Sequence, residues 1–156
     1  MTPPIITSLY AGILALILVG LSMRVIRVRR GQRIGIGDGN DEDLARRSRA
    51  HGNFTEYVPI ALVMMMLIEL SGYPAWALHG LGLALIAGRL IHAWSLPAQS
   101  LAGRTVGMIL TFAALISGAL SCVTVAARAL LSSRRSGSVG GLVSERGLRE
   151  NAPFGV

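Results

Sequence analysis

Four long apolar runs constrain the fold of this chain more than any other feature of its sequence. The first, Ile5 to Met23, carries no charged residue and is long enough to cross a hydrocarbon core of about 30 Å at about 1.5 Å per residue. It lacks the preceding basic segment and the A-x-A cleavage site that are typical of a signal peptide. Composition agrees, since only 15% of the residues are charged, against roughly 25% in soluble domains. We therefore predict an all-α integral membrane protein.

Polar and turn-forming segments separate the apolar runs and set the expected boundaries. We predict one four-helix bundle over residues 1–131, with helices at about 5–30, 42–70, 76–94 and 104–131. Asp41 or Asp43 is the expected cap of the second helix. Residues 132–156 are rich in Ser, Gly and Arg and have little apolar pattern, which predicts a disordered tail. Small residues favour close helix packing at Ala84, Gly88, Ser117, Gly118, Ser121 and Cys122.

The net charge of +7 comes from arginine, since the chain has no lysine. The first connection and its flanks hold Arg24, Arg27, Arg29, Arg30, Arg33, Arg46, Arg47 and Arg49. The positive-inside rule then predicts that this connection faces the cytoplasm. The arginines from Arg128 to Arg149 would lie on the other side and argue against this orientation, but they flank one helix rather than two. Nucleic acid is not an expected partner, because the arginines flank the spans and no recognisable binding module is present.

The segment "RAHGNFTEYVP" at residues 49–59 places a polar stripe at the start of the second apolar run. Arg49, Asn53 and Glu56 follow a helical spacing, and Tyr57 is adjacent to Glu56. An ionisable side chain at the bilayer centre costs about 2.5–3.5 kcal/mol on insertion scales, so this stripe should face protein or water.

Further polar residues lie on the next two helices, at Arg89, His92, Arg104 and Thr105. Several guanidinium groups and one carboxylate within apolar helices indicate a pocket for a small, net-negative, polar ligand near the cytoplasmic interface. Each residue also has a structural interpretation. Arg46 and Arg49 could be interfacial anchors, Asn53 and Glu56 could link helices, and Arg104 could mark a helix end.

Three other interpretations stay open at this stage. Arg89 could form an ion pair with Glu56 or Glu69. His79 and His92 could be packed or interfacial residues, and no metal site is expected because no Cys or carboxylate cluster accompanies them. Cys122 is most simply a small packing residue.

The same residues resemble the signature of the MAPEG family, the membrane-associated proteins in eicosanoid and glutathione metabolism. The match comprises Arg49, Ala50, His51, Asn53, Glu56, Tyr57 and Pro59. The resemblance also covers "GDG" before the signature, "GRLIHAW" in the third helix and "GRTVGM" at the start of the fourth, and it spans about residues 5–130. Asp43 and Arg46 match charged positions just before the signature. The resemblance is to the small bacterial branch of the family.

The resemblance implies a homotrimer in a bacterial inner membrane that binds glutathione between subunits, near the cytoplasmic face. By position, Arg49, Asn53, Glu56 and Tyr57 would contact glutathione, with Arg89 and His92 on the facing helix. Arg104 would stabilise the glutathione thiolate, with Thr105 beside it as a hydroxyl donor. The implied activity is that of a glutathione transferase or peroxidase acting on lipophilic electrophiles or hydroperoxides.

Two rival hypotheses remain, because the chain departs from the family pattern. His92 or Trp94 stands where some relatives have a tyrosine, and the connection before Arg104 is of uncertain length. A protein that binds glutathione without turnover is one rival. The other is a structural membrane protein in which the polar stripe only holds helices together.

Overall fold

Four α-helices and short connections form the part of the chain that the structure describes. The structure, a computed structural model, gives the backbone of residues 3–150 and the side chains of residues 3–133. Its helices are α1 (Ile5–Gln32), α2 (Glu42–Leu70), α3 (Ala75–Ser95) and α4 (Leu101–Glu150). Each is long and apolar enough to cross a membrane. The predicted all-α fold with four membrane-spanning helices is confirmed.

The bundle buries one apolar core and presents apolar side chains outward as well. α3 packs most extensively on α4 and α1 on α2, while α2 contacts all three other helices. The core is formed by Leu14, Leu21, Ala50, Phe54, Val58, Ala61, Leu85, Ala93, Leu96 and Ala114. Trp76 and Trp94, near the two ends of α3, are 77% and 76% exposed, as expected of interfacial anchors. The outer surface is therefore suited to lipid.

The helix boundaries agree with the sequence at α2 and differ most at α4. α4 begins at Leu101 rather than Arg104 and continues to Glu150, beyond the predicted end at residue 131. The helix thus includes residues 132–150 of the predicted tail, and residues 151–156 lie outside the described residues. The disorder of the tail stays a prediction. An α-helix makes its backbone hydrogen bonds within the segment, so it can continue after the apolar pattern has ended. The predicted end at residue 131 follows from the apolar pattern alone.

Polar contacts attach α1 to α2 at its start and again in its second half. The Glu69 carboxylate accepts hydrogen bonds from the backbone N–H groups of Ile6 and Thr7, each at 2.8 Å. These N–H groups belong to the first turn of α1, where no intrahelical acceptor exists and a carboxylate is favourable. In the second half of α1, His51 Nε2 lies 3.1 Å from Ser22 Oγ. Glu69 is therefore a helix cap and not the partner of Arg89.

Glycines bring α3 and α4 into backbone contact. A Cβ atom at Gly88 would lie 2.9 Å from the Gly107 carbonyl oxygen, and one at Gly107 would lie 2.8 Å from the Gly88 oxygen. The predicted close approach at Gly88 is thus found. Gly118, also predicted, faces Met64 of α2, where a Cβ would have ordinary contacts from 3.5 Å. The tight crossing point of α3 and α4 is therefore the Gly88–Gly107 contact.

We expect Gly107→Ala to lower stability, because its Cβ would lie 2.7 Å from His92 Cβ and 2.8 Å from the Gly88 oxygen. The expected loss is about 1–3 kcal/mol, as in other overpacked contacts. Gly20→Ala in α1 is the matched control, since nothing lies within 4 Å of its added Cβ. Thermal unfolding of the detergent-solubilised variants measures both. Equal midpoints for the two variants would contradict the tight crossing.

Candidate functional site

The first turns of α2 fix the position of its polar stripe. The Asp41 side chain accepts a hydrogen bond from Leu44 N–H at 2.9 Å, which caps the helix, so Asp41 and not Asp43 is the cap. Asp43 instead pairs with Arg47 at 2.7 Å, and Glu42 pairs with Arg46 at 2.8 Å. Both pairs join residues four apart on the helix and support its N-terminal end.

An open cleft of about 530 Å³ lies between the start of α2, the end of α3 and the start of α4. Its lining is Arg49, Asn53, His92, Leu96, Leu101, Arg104, Thr105, Met108, Ile109 and Phe112. Five of the eight residues predicted for the site are among them, namely Arg49, Asn53, His92, Arg104 and Thr105. Three different helices supply these five side chains. Tertiary packing therefore brings together residues that are up to 56 positions apart (105 − 49) in the sequence.

The cleft is positively charged, and its lining includes both polar and apolar side chains. Arg49 and Arg104 are exposed at its edge, and His92 is buried at 6% exposure. His92 lines the cleft whereas Trp94 is 76% exposed and does not, so His92 is the residue that α3 presents there. Ile109 and Phe112 contribute apolar surface. Such a cleft suits an anionic polar ligand that lies beside an apolar one.

Arg89 lies beneath the cleft and is its most buried charged residue, at 1% exposure. Its guanidinium donates to the Asn53 side-chain oxygen and, at 3.2 Å, to the Asn53 carbonyl oxygen. It also donates to Thr111 Oγ1 at 2.6 Å and lies 3.7 Å from Met108 Sδ. One side chain thus links α3 to α2 and α4. The acceptors of the guanidinium, on Asn53, Thr111 and Met108, are all uncharged. Arg89 therefore does not form the ion pair with Glu56 or Glu69 that the sequence left open.

Tyr57 and Glu56 do not line the cleft of the single chain. The Tyr57 ring lies 5.6 Å from the Arg89 guanidinium carbon and makes an edge contact with Phe112 at 5.7 Å between ring centres. It therefore packs behind the cleft and stabilises the cation. Glu56 is exposed, and within the described side chains it forms no ion pair. It lies two turns along α2 from Arg49, on the outside of the bundle, so one chain does not bring all eight predicted residues together.

The sequence interpretation missed Thr111, which is fully buried and accepts one of the Arg89 hydrogen bonds. Thr111 Oγ1 also donates to the Gly107 carbonyl at 2.8 Å, one turn earlier in α4. A signal was present, since Thr111 interrupts an apolar run seven residues after Arg104 and so falls on the same helical face. Threonine can satisfy its hydroxyl within its own helix, however, so its presence did not require a distant partner.

Two comparisons with known proteins agree on the relationship of this chain. The MAPEG family matches residues 7–124, which include all eight predicted site residues. Inner membrane protein YecN of Escherichia coli (strain K12) is 39% identical over 111 residues, covering 71% of this chain and 85% of that protein. The protein of the same name from Escherichia coli O6:H1 gives the same values.

We expect Arg89→Met to lower stability by about 1–3 kcal/mol, because it leaves the buried Asn53 and Thr111 oxygens without a donor. Arg104→Ala is the comparison, since Arg104 is exposed and its removal should change stability by no more than about 0.5 kcal/mol. Thermal unfolding in one detergent measures both. A midpoint for Arg89→Met at or above that of Arg104→Ala would show that the network contributes little.

Proposed function

Because this chain belongs to the MAPEG family, we propose that it binds glutathione in the cleft and acts as a glutathione transferase or peroxidase on lipophilic substrates. The observation that carries the proposal is the joint presence of Arg49, Asn53 and Arg104 on one cleft between three membrane helices. Glutathione has two carboxylates, an ammonium and a thiol. Guanidinium groups can bind carboxylates through two parallel hydrogen bonds. Arginines that served only as interfacial anchors would not need to lie on one cleft.

Size and polarity support glutathione as the ligand. The cleft volume of about 530 Å³ falls within the range of about 300–1,000 Å³ that is usual for small-molecule sites. Its charged edge complements a net-negative tripeptide. The apolar residues Leu101, Ile109 and Phe112 offer a surface on which a lipophilic second substrate can lie next to the thiol.

Arg104 is the residue proposed to act on the thiol. A free thiol has a pKa of about 8.5 and is mostly protonated at neutral pH, while a nearby guanidinium favours the thiolate. The thiolate sulfur of bound glutathione would bond to an electrophilic carbon as the leaving group of that carbon departs. With a hydroperoxide it would instead take the outer oxygen as the O–O bond breaks and the alcohol is released, and a second glutathione would convert the resulting sulfenic acid to the disulfide and water. Arg104 would hold the negative charge of that sulfur. Thr105 on the same turn now donates its hydroxyl to the Leu101 carbonyl oxygen at 3.0 Å and would turn this donor to the sulfur when glutathione binds. His92 would face the ligand from α3.

Glu56 supports assembly of several copies. It is an exposed carboxylate on a membrane helix, and contact with lipid there would be costly. A neighbouring copy that covers the outer face of α2 would remove this cost and could bring Glu56 to a shared site. We propose the homotrimer of the family as this assembly, in a bacterial inner membrane, with the arginine-rich ends of α1 and α2 facing the cytoplasm.

The trimer predicts a mass three times that of the 16.5 kDa chain when the detergent-solubilised protein is measured by native mass spectrometry. Glu56→Leu should shift the distribution towards single chains if Glu56 meets a cation of the next copy, since that ion pair would be lost. Glu42→Leu is the control, because Glu42 is exposed at the membrane surface and pairs within its own helix. A wild-type protein found only as single chains would contradict the trimer.

Titration of the solubilised protein with glutathione, measured by calorimetry, tests whether glutathione is the ligand. We expect Arg104→Ala to weaken binding by about tenfold or more, the effect of losing a charge-assisted hydrogen bond. Arg128→Ala removes an exposed arginine from the same helix far from the cleft and should bind as the wild type does. Equal affinity in all three proteins would remove Arg104 from the site.

Turnover separates the enzyme from its rivals. The wild type should conjugate a generic lipophilic electrophile or reduce a lipophilic hydroperoxide, and Arg104→Ala should do so more slowly at saturating glutathione. Glutathione binding without either reaction would favour a binding protein. No glutathione binding, with assembly lost in Arg49→Ala, would favour the structural role.

A further inference from the structure

Arg89 and Asn53 form a buried pair whose orientation is dictated by chemistry. A guanidinium carries only N–H donors, so the Asn53 atom that faces Arg89 must be the side-chain oxygen. The carbonyl oxygen of Asn53 is held by the same guanidinium at 3.2 Å. Both the backbone and the side chain of Asn53 are thereby fixed from beneath the cleft.

The remaining polar atom of Asn53 is its amide nitrogen. Asn53 lines the cleft although only 5% of its surface is exposed. Among the described residues, the buried side-chain atoms without a partner belong to Thr7, Arg46, Ser48 and Arg89, so the Asn53 nitrogen is not sealed inside the protein. The oxygen, by contrast, is held by Arg89, which is not among the residues that line the cleft.

From this geometry we infer that Arg89 is a positioning residue, which holds the oxygen of Asn53 so that the Asn53 amide presents only N–H donors to the cleft. It acts through Asn53, since Arg89 itself does not line the cleft. Asn53 would then select a hydrogen-bond acceptor on the ligand, a carboxylate or a peptide carbonyl oxygen. For the identity of that ligand the inference rests on the proposed binding of glutathione.

The pair also sets the charge beneath the ligand. The protein acceptors of the Arg89 guanidinium are uncharged oxygens and a thioether sulfur, with the Tyr57 ring beside it. An aspartate at position 53 would neutralise this cation and replace the donor with an acceptor in nearly the same shape. With an asparagine there, the positive charge of Arg89 is not neutralised. This charge and the Asn53 N–H donors can then act on the same anionic group of the ligand.

Substitution of Asn53 tests the inference. Asn53→Asp keeps an oxygen facing Arg89 and adds an ion pair, so it should unfold at or above the wild-type temperature. Asn53→Leu has similar size but offers no oxygen and should unfold at a lower temperature. Despite its stability, Asn53→Asp should bind glutathione about tenfold more weakly or worse, since a donor has become an acceptor.

Arg89→Lys gives a second, independent measurement. It retains the charge, but a single ammonium cannot reproduce the planar fork that reaches both Asn53 and Thr111. We expect weaker glutathione binding in a folded protein. If this variant does not fold, the comparison of Asn53→Asp with Asn53→Leu decides the question.

Nuclear magnetic resonance can observe the donor directly. The chain has three asparagines, Asn40, Asn53 and Asn151, so isotopic labelling of asparagine nitrogen gives few side-chain amide signals. The signal that Asn53→Asp removes should shift when glutathione is added to the wild type, while that of Asn40 in the first connection should not.

Each outcome has a distinct meaning. Asn53→Asp unfolding below Asn53→Leu would show that Arg89 does not hold the oxygen, and unchanged glutathione affinity in Asn53→Asp would show that the donor is not used. Either result overturns the inference. If the wild type itself binds no glutathione, the proposed function fails, and the order of the two unfolding temperatures still decides whether Arg89 orients Asn53.

Discussion

The buried guanidinium of Arg89 is the constraint on which the rest of this membrane bundle depends. An arginine inside apolar helices must find acceptors within the protein, because lipid offers none. Here two helices supply them, with Asn53 on α2 and Thr111 on α4, and Tyr57 adds a ring contact. The three helices that meet at Arg89 are those that line the cleft. The hydrogen bonds of its two terminal nitrogens therefore join the helices around the candidate site, although Arg89 Nε has no partner among the described residues.

Close helix packing makes this arrangement possible. The Gly88–Gly107 contact lies next to Arg89 in α3, and it lets α4 approach until Thr111 reaches the guanidinium. Without a strong hydrophobic force between helices in lipid, such close contacts and interhelical hydrogen bonds contribute much of the association. α1 contributes differently, since it contacts α2 and α3 but lies away from the cleft. The bundle thus consists of two closely packed pairs, α3 with α4 and α1 with α2, and the Arg89 hydrogen bonds join α2 to the α3–α4 pair.

Two kinds of arginine have separate roles in this chain. Arg89 is enclosed and bound to neutral oxygens, whereas Arg49 and Arg104 are exposed at the edge of the cleft. Only the exposed ones can meet a ligand directly. The exposed Glu56 points to a further surface that a single chain leaves uncovered. In the proposed trimer, contacts between copies would complete the site, while the residues beneath the cleft, Arg89 and Asn53, belong to the same chain.

The sequence by itself determined the number of membrane helices, most of their boundaries and the candidate residues, because apolar length and helical spacing are local properties. It also identified Arg49, Asn53, His92, Arg104 and Thr105, which the fold brings to one cleft. Only the tertiary structure decided the partners of Arg89, the exclusion of Glu56 from the cleft of one chain, and the part played by Thr111. The spacing of residues along a helix predicts which of them share a face, but not which residues of other helices that face contacts. A buried cation can be satisfied equally by a carboxylate or by neutral oxygens, and packing alone selects between them.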